Sequence, residues 1–455
     1  IFIIEAYHPH PPLSNTGPCV FSGGNPLFGF ANFLLLALFA AAVFDLIFAL
    51  ARGGGLRGAL HGLWNTPHLL FGQQLAEWRL QLGRILFAAG LAAYEISVVF
   101  CNSMARQNWA WVQRVMSPVL EWLAFLCFGA KILFGTRYTW RELLAGGALY
   151  FIARWVYFNS QNIWWIGIVV AVLAAKDVPL RRPLQVYFAS GCAAMAVVLA
   201  LHFAGIVAPD LTSERMGALR GTYGYGHPNT FGGLVFGLVL AYALLRAQKV
   251  RWVDCLLVFA VGVFLLVGPA SRSAALCTLA LAVGLVFCRL RAGHSVPRWW
   301  PGTCAGMVGL TAAVSYLLPL LVIKVGPWNN DIGPAWLAKL DSLLTCRISL
   351  TWMAYRLLDV KIAGQVFNWP TVDNSFAFAL FQFGPVVAAL LGILFAAALW
   401  GHAKQGRRVE VCCLFAMLAS AYMEVLPFHL TTNPTALLLC GAVFAQTSAR
   451  WQKIE

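Results

Sequence analysis

The polar residues best placed to do chemistry in this chain form one short run, which begins at Arg220 and ends at Gly233. The run reads RGTYGYGHPNTFGG and opens an apolar stretch. It joins a permanent cation, Arg220, to the titratable ring of His227 and the amide of Asn229, with glycines between them. Polar side chains at a membrane span are costly to place and often mark a functional site. The run therefore predicts a site at the start of a membrane helix.

Three further polar elements follow along the chain. They are a Ser-Arg-Ser turn centred on Arg272, a Leu-Leu-Thr-Cys-Arg sequence that ends at Arg347, and a Val-Asp-Asn-Ser-Phe sequence that contains Asp373 and Asn374. Histidine titrates near neutral pH without help, and a carboxylate becomes a useful base when it is buried. His227 and Asp373 are therefore the two candidate general bases, and the residues leave the choice between them open.

The elements that must position these side chains are membrane helices. The chain has 455 residues, of which 60% are hydrophobic and 11% charged, with a mean hydropathy of +0.74. Many apolar runs approach the roughly 20 residues that cross a bilayer. We predict an all-α, polytopic transmembrane bundle of 12 to 13 spans. The predicted spans are 26–50, 82–100, 118–134, 142–157, 160–175, 184–208, 229–245, 252–268, 273–290, 302–323, 375–400, 410–427 and 434–449.

The charge pattern predicts which side of the membrane each loop faces. The net charge is +15, and in a membrane protein this excess is better explained by basic cytoplasmic loops than by nucleic-acid binding. Clusters of Lys and Arg alternate with other loops from the sixth span onward. The loops that face outward are then 209–228, 269–272, 324–374 and 428–433, so all four polar elements are predicted to lie on the outer side.

The outer loop 324–374 is predicted to contain an amphipathic helix on the membrane surface. Its apolar residues recur at spacings of three, four and seven. These residues are Leu337, Leu340, Leu344, Ile348 and Tyr355.

The chain divides into an unassigned N-terminal segment with one span, residues 1–81, and a membrane domain, residues 82–455. The first residue is Ile1, which suggests a truncated start. The 12 cysteines lie mostly in apolar spans and form no Cys-x-x-Cys pair, so we interpret them as small apolar residues. We predict no metal site and no cofactor.

In their order, the four elements resemble those of the polysaccharide polymerase family (O-antigen and capsule polymerases, often called Wzy) and of the related O-antigen ligases. Members carry Arg…Gly-aromatic…His-Pro-Asn, then Ser-Arg-Ser/Thr, Thr-Gly-Arg in a large outer loop, and Asp-Asn-Ser-aromatic before a helix. The resemblance covers residues 118–449. This chain departs from it at Cys346, where the family usually has glycine.

The resemblance implies an enzyme of the bacterial cytoplasmic (inner) membrane that polymerises oligosaccharide repeat units carried on polyprenyl pyrophosphate. Catalytic roles are implied for His227, Asp373 and Arg272. Binding of pyrophosphate or sugar is implied for Arg220, Arg347, Asn229 and Asn374. Arginine presents a planar, always-charged fork to phosphate, so the arginines would take the place of a divalent cation. A flippase and a chain-length regulator are the implied protein partners, besides the bilayer.

Several alternatives stay open at this point. A ligase would use the same chemistry with another acceptor, whereas a transporter or flippase would move a lipid-linked sugar without bond chemistry. Arg220 could be an interfacial arginine and Arg347 a solvated helix residue. Asn229 and Asp373 could each serve only to start a helix.

Overall fold

The computed structural model describes residues 26–51, 55–207, 213–215, 218–323, 333–367 and 370–444. Within these ranges the α-helices are α1 Pro26–Ala51, α2 Gly55–Asn65, α3 Ala76–Cys101, α4 Ala105–Asn108, α5 Ser117–Phe134, α6 Trp140–Ser160, α7 Ile163–Ala174, α8 Arg181–Phe203, α9 Pro228–Leu245, α10 Trp252–Val267, α11 Arg272–Leu290, α12 Trp300–Leu317, α13 Ala335–Leu343, α14 Arg347–Leu357, α15 Ser375–Phe378, α16 Pro385–Lys404, α17 Arg408–Met423 and α18 Cys440–Val443.

Short non-α segments complete the described architecture. Two antiparallel strand pairs join β1 (His68–Leu69) to β2 (Arg137–Tyr138) and β3 (Ser213–Arg215) to β4 (Ala218–Arg220). The π-helical turns are Val112–Met116 and Ala379–Phe383, and the 3₁₀ turns are Leu318–Leu321, Leu426–Phe428 and Pro434–Leu439.

The predicted all-α, multi-pass architecture is confirmed in its coarse form. Among the described residues, eight helices are long and apolar enough to cross a membrane. They are Gly29–Ala51, Ala76–Cys101, Val112–Phe134, Arg181–Phe203, Pro228–Leu245, Arg272–Leu290, Trp300–Leu321 and Pro385–Lys404. Large apolar side chains on α10, such as Leu256 and Phe259, are exposed, as a lipid-facing surface requires.

Five of the thirteen predicted spans do not reach this length and composition. α7 has 12 residues and is buried throughout, and α10 and α17 have 16 each. α6 is long, with 21 residues, but it carries charged side chains such as Arg154. The last predicted span becomes a 3₁₀ turn followed by α18, and its end beyond 444 lies outside the described residues. The count of 12 to 13 spans therefore stays a prediction.

Three helices, α9, α11 and α17, position the polar elements. α11 packs against α9, α10 and α17, and α17 also contacts α9. Gly232 on α9 permits the closest approach, because a Cβ built there would lie 2.3 Å from the Ser271 Oγ. The starts of α9 and α11 are thereby brought to the same end of the bundle.

The described part of the N-terminal segment packs on the rest of the chain. Phe30 and Leu34 of α1 belong to the main hydrophobic core, and the Tyr150 hydroxyl donates a hydrogen bond to the Ala31 carbonyl at 3.1 Å. Residues 1–25 of the predicted segment lie outside the described residues.

The prediction of one continuous amphipathic helix in the loop 324–374 was wrong, because the structure has two shorter helices there. The chain forms two helices, α13 and α14, because Thr345 and Cys346 adopt left-handed conformations, with φ of 62° and 63°. The buried carboxylate of Asp341 then accepts the Ile348 N–H at 2.8 Å and caps α14. Leu337 of α13 and Ile348 of α14 still pack together, as their apolar pattern predicts. Residues 324–332 lie outside the described residues.

The left-handed backbone at Cys346 explains why a glycine would suit this position. Non-glycine residues pay about 1–2 kcal/mol to enter that region, and a glycine there loses part of the gain to its own backbone entropy. We expect Cys346→Gly to leave the free energy of unfolding unchanged or raise it by up to about 1 kcal/mol. Cys346→Val should lower it by about 1–2 kcal/mol, because a β-branched residue is disfavoured at positive φ. Detergent-solubilised unfolding curves of the two variants would measure the difference, and equal stabilities would contradict it.

The predicted span 375–400 is broken at Gly384, which separates the π-helical turn Ala379–Phe383 from α16. Its φ is +86°, and an added Cβ would lie 2.1 Å from the Ile362 carbonyl oxygen. The break allows the irregular segment after α14 to pack against the start of α16.

Candidate functional site

All four predicted polar elements meet at one end of the bundle, where α9 and α11 begin and α17 ends. Together with Glu424 at the end of α17, their side chains form a polar network that consists of Arg220, Asn229, Ser273, Arg347, Asp373 and Glu424. The network joins stretches of sequence that are up to about 200 residues apart, since the Asn229–Glu424 hydrogen bond alone spans 195 positions.

Glu424 is the centre of the polar network. Its Oε1 accepts hydrogen bonds from the Arg347 Nη2 at 2.6 Å, the Ser273 Oγ at 2.8 Å and the Asn229 Nδ2 at 3.1 Å. The residue follows the last turn of α17 and has an extended backbone, so the helix ends at this point. One carboxylate thus ties the second, third and first polar elements together.

Arg220 is bound to the network through Asn229. Its Nη2 donates to the Asn229 Oδ1 at 2.9 Å and to the Ala270 carbonyl at 3.2 Å. The Asn229 amide therefore uses its oxygen for Arg220 and its nitrogen for Glu424. Arg220 is buried, so the alternative of a free interfacial arginine does not describe it.

Arg347 is held by four groups at once. Its Nε donates to the Met423 carbonyl and its Nη1 to the Leu344 carbonyl at 3.0 Å. Its Nη2 contacts Glu424 and lies 3.7 Å from the Asp373 Oδ2. The side chain is 10% exposed, so it is not the solvated helix residue that the sequence allowed. Most of its donors are committed to the protein, which makes it an anchor for α14.

Arg272 lies at the same end but is exposed. It is the first residue of α11, between Ser271, whose Oγ lies 3.5 Å from the Asn229 Oδ1, and Ser273, which binds Glu424. The three predicted arginines thus share one end of the bundle. Arg272 is exposed, whereas Arg220 and Arg347 are largely buried.

His227 caps α9. Its Nδ1 accepts the backbone N–H of Asn229 at 3.1 Å. In neutral imidazole one ring nitrogen accepts and the other carries the proton, so the Nε2 of His227 is then a donor. To accept a proton, the ring would have to give up its cap, which weakens its case as a general base.

Asn374, and not Asp373, begins the helix at the fourth element. Its Oδ1 accepts the backbone N–H groups of Phe376 and Ala377 at 3.0 and 3.1 Å, and its Nδ2 donates to the Ser315 Oγ. Asn374 is buried with its amide fully used, so it fixes the loop and does not face a ligand. This leaves the Asp373 carboxylate uncommitted to capping, with 31% of its side chain exposed.

Burial raises the pKa of both carboxyl groups of the site above the ordinary range. For Asp373, desolvation is the larger effect and the nearby Arg347 guanidinium opposes it. For Glu424, desolvation again leads, opposed by Arg347 and reinforced by Asp373. Arg220 and Arg347 balance Asp373 and Glu424 in formal charge, and Arg272 at the same end of the bundle adds one positive charge, which favours an anionic ligand.

Glu424 is the functional candidate that sequence analysis missed as a site residue. Its sequence signal was an acidic residue that flanks the last outer turn, in MEVLPFHLTTNP, and this position favoured a structural hydrogen-bonding role. In the same turn Asn433 has a structural role, since its Oδ1 accepts the Ala436 N–H at 3.2 Å and its Nδ2 donates to the Pro427 carbonyl at 2.9 Å.

The turn after Glu424 carries a buried histidine, His429, whose ring lies 3.8 Å from that of Trp164. Burial lowers the pKa of His429 from 6.5 to about 4. In the unfolded chain this histidine binds a proton below about pH 6.5, whereas in the folded chain it does so only below about pH 4. We expect the free energy of unfolding to fall by roughly 3 kcal/mol between these pH values through this residue. His429→Gln should remove that share of the acid sensitivity in unfolding curves measured from pH 7.5 to 4, and identical pH slopes in the two proteins would contradict it.

No family model matches the chain, and no curated protein or solved structure matches it either. Among the described residues, no group of three or more His, Cys, Asp or Glu side chains is arranged to hold a metal ion. The assignment of a function therefore depends on the polar network itself and on the resemblance of its four elements.

Proposed function

We propose that this chain is a membrane glycosyltransferase that polymerises oligosaccharide repeat units carried on polyprenyl pyrophosphate. The observation that supports it is the convergence of four separate sequence elements on Glu424, three on its carboxylate and the fourth, through the Ser375 hydroxyl, on its backbone carbonyl. A set of unrelated capping residues would have no reason to meet in one network. Each element contributes at least one side chain or backbone group to this end of the bundle.

In the proposed reaction an acceptor hydroxyl attacks the anomeric carbon of the donor. A glycosidic C–O bond forms, the C–O bond to the diphosphate breaks, and the hydroxyl proton passes to a base. Negative charge grows on the leaving diphosphate in the transition state. Arg272 is an exposed cation at this end of the bundle and would contact that charge, while the buried Arg220 and Arg347 add positive potential. Preorganised cations of this kind contribute about 3–4 kcal/mol each.

Asp373 is the better-placed base of the two that the sequence left open. Its carboxylate is partly exposed beside Arg347, and its raised pKa brings it closer to the operating pH, where general bases are most effective. His227 would serve the site by fixing the start of α9, and Asn229 by fixing Arg220.

The proposed orientation puts the polar network on the outer side of a bacterial cytoplasmic membrane. The other ends of α9, α11 and α17 carry Arg246, Arg289 and Arg408, and basic loops remain preferentially in the cytoplasm. A flippase would supply the repeat units there, and a chain-length regulator would act on the product.

The direct test supplies the purified chain with lipid-linked repeat units and separates the products by length. Ladders of increasing length would support the proposal. Transfer of a preformed glycan to a different acceptor, without lengthening, would support the ligase alternative, which uses the same site. Unchanged repeat units under conditions in which the protein is folded would contradict both.

We expect the chelator EDTA to leave the rate of polymer formation unchanged, within about twofold. In this proposal arginine side chains carry the charge-stabilising role that a divalent cation has in many glycosyltransferases, and a chelator cannot remove them. The measurement compares initial rates with and without EDTA, and with Mg²⁺ or Mn²⁺ restored. A rate that falls tenfold and returns with the metal would contradict the arginine argument.

One observation favours a second candidate, a transporter of lipid-linked sugar. Glu95 of α3 and Glu121 of α5 are both buried within neighbouring helices that pack along each other. Ionisable residues inside the membrane often belong to a transport or proton path. Movement of repeat units across vesicles by the reconstituted chain, with loss of movement in Glu95→Gln and no lengthening, would support this candidate.

A further inference from the structure

A large basic cavity lies at the end of α9, α11 and α17 opposite to the polar network. Its volume is about 860 Å³, within the range of small-molecule sites. α11 has 19 residues, so the cavity and the polar network are separated by roughly 28 Å of helix. They are therefore two distinct places in the molecule.

Basic side chains from several helix ends converge on this cavity. They come from the start of α8, the α9–α10 turn, the end of α11 and the start of α17. The cationic lining residues are Arg181, Arg246, Lys249, Arg251, Arg289, Arg407 and Arg408, and the one acidic residue among the lining is Glu410.

Few of these cations are neutralised by the protein. Arg246 pairs with Asp254 at 3.1 Å. Within the part of the chain that the structure describes, none of the other six lies within 4 Å of a carboxylate. Arg181, Lys249 and Arg289 are also exposed, so their charges are open to a ligand.

The cavity has an apolar side as well as a basic one. Leu184, Leu244, Val409 and Leu438 line it and are themselves buried. A site with cations at its rim and leucines at its base offers both charge and hydrocarbon contact, which suits a phosphate group attached to an apolar body.

The general preference for basic loops on the cytoplasmic side explains why cationic residues are present at this end of the helices. It does not explain why they surround one concave space, because mutual repulsion would favour spreading them along the surface. A bound polyanion would relieve that repulsion, and basic pockets between membrane helices on this side are suited to multiply charged headgroups.

We infer that this basic cavity binds a ligand with two or more phosphate groups. The shared chemistry is a polyphosphate anion clamped by Lys249, Arg289 and Arg181. Its source is either an anionic lipid with two phosphates in its headgroup or a soluble polyphosphate. This inference stands apart from the proposed function, because the cavity contains no residue of the polar network.

The experiment measures binding to the purified full-length chain by the ligand-dependent shift of its thermal unfolding midpoint. One arm titrates diphosphatidylglycerol into detergent micelles with phosphatidylcholine as the reference lipid, and the other titrates inorganic tripolyphosphate. We expect a rise with at least one probe that weakens as salt increases, since screening reduces contacts between exposed charges. A rise with the lipid alone identifies a headgroup site, and a rise with tripolyphosphate identifies a site for soluble anions.

The deciding variant is Lys249→Gln/Arg289→Gln, which should weaken binding about tenfold or more, as the loss of two cations implies. The matched control is Arg298→Gln/Lys404→Gln, which removes the same charge from exposed residues outside the cavity lining and should change binding less than twofold. Arg181→Gln gives an independent third measurement if the double variant does not fold. Equal weakening in both double variants, or no shift with either probe, would overturn the inference.

Discussion

Replacement of Arg272 by alanine should abolish polymer formation while single repeat units still reach the cell surface. Arg272 is an exposed cation at this end of the bundle, and its neighbours Ser271 and Ser273 are bound to Asn229 and Glu424. Its removal should cost the transition state about 3–4 kcal/mol, a fall of about 10²–10³-fold in rate. The measurement is the length distribution of surface glycan, together with initial rates for the purified protein.

The matched control is Arg356→Ala, which removes an exposed arginine from α14 without touching the polar network. Arg356 lies over the ring of Trp352, 5.4 Å from its centroid, and its loss should leave the rate unchanged. Arg272→Lys should keep part of the activity, because a lysine keeps the charge but loses the planar fork. Normal polymer length and yield in Arg272→Ala would remove this residue from the site.

The sequence predicted the membrane helices and the polar elements well because both depend on local composition. Apolar runs near 20 residues indicate a candidate span from local composition alone. Polar clusters such as the one around Arg220 and His227 stand out against such a background, and all four predicted elements lie at one end of the bundle. Their shared location followed from counting loops, which needs no knowledge of packing.

The centre of the network could not be predicted in the same way. Glu424 contacts Asn229, Ser273 and Arg347, which are distant in sequence, and such contacts follow from the packing of α9, α11 and α17. The local sequence of Glu424 favoured a structural hydrogen-bonding role and gave no sign that separate elements meet on it. The cap at Asn374 was likewise assigned to its neighbour Asp373, because both residue types cap helices.

The number of spans stays a prediction where apolar segments pack inside the protein. The α7 sequence is as apolar as a membrane span, yet only 12 residues are helical and all are buried. Backbone outside α-helices is tolerated inside a membrane where protein surrounds it, and the 3₁₀ turn Pro434–Leu439 is likewise buried in the protein. Hydropathy does not distinguish burial in lipid from burial in protein.

The pairing of Glu424 with Arg347 should be the most strongly coupled interaction of the site. Glu424→Ala leaves the 10%-exposed Arg347 without its nearest carboxylate, and uncompensated buried charges of this kind cost about 3–5 kcal/mol. Arg347→Met should cost less, because Glu424 can bind a proton and lose its charge, as its raised pKa already favours. The double variant should be less destabilised than the sum of the two single variants.

The measurement is a double-mutant cycle on the free energy of unfolding in mixed detergent micelles, with an expected coupling of about 2–3 kcal/mol. The control cycle is Glu77→Ala with Arg137→Met, a pair at 3.6 Å whose glutamate is 85% exposed; an exposed pair of this kind should couple by less than about 1 kcal/mol. Additive effects at Glu424 and Arg347 would mean that the carboxylate does not hold α14 to the site. Arg347 would then be free to move toward a ligand, and the anchoring role argued from its four contacts would be wrong.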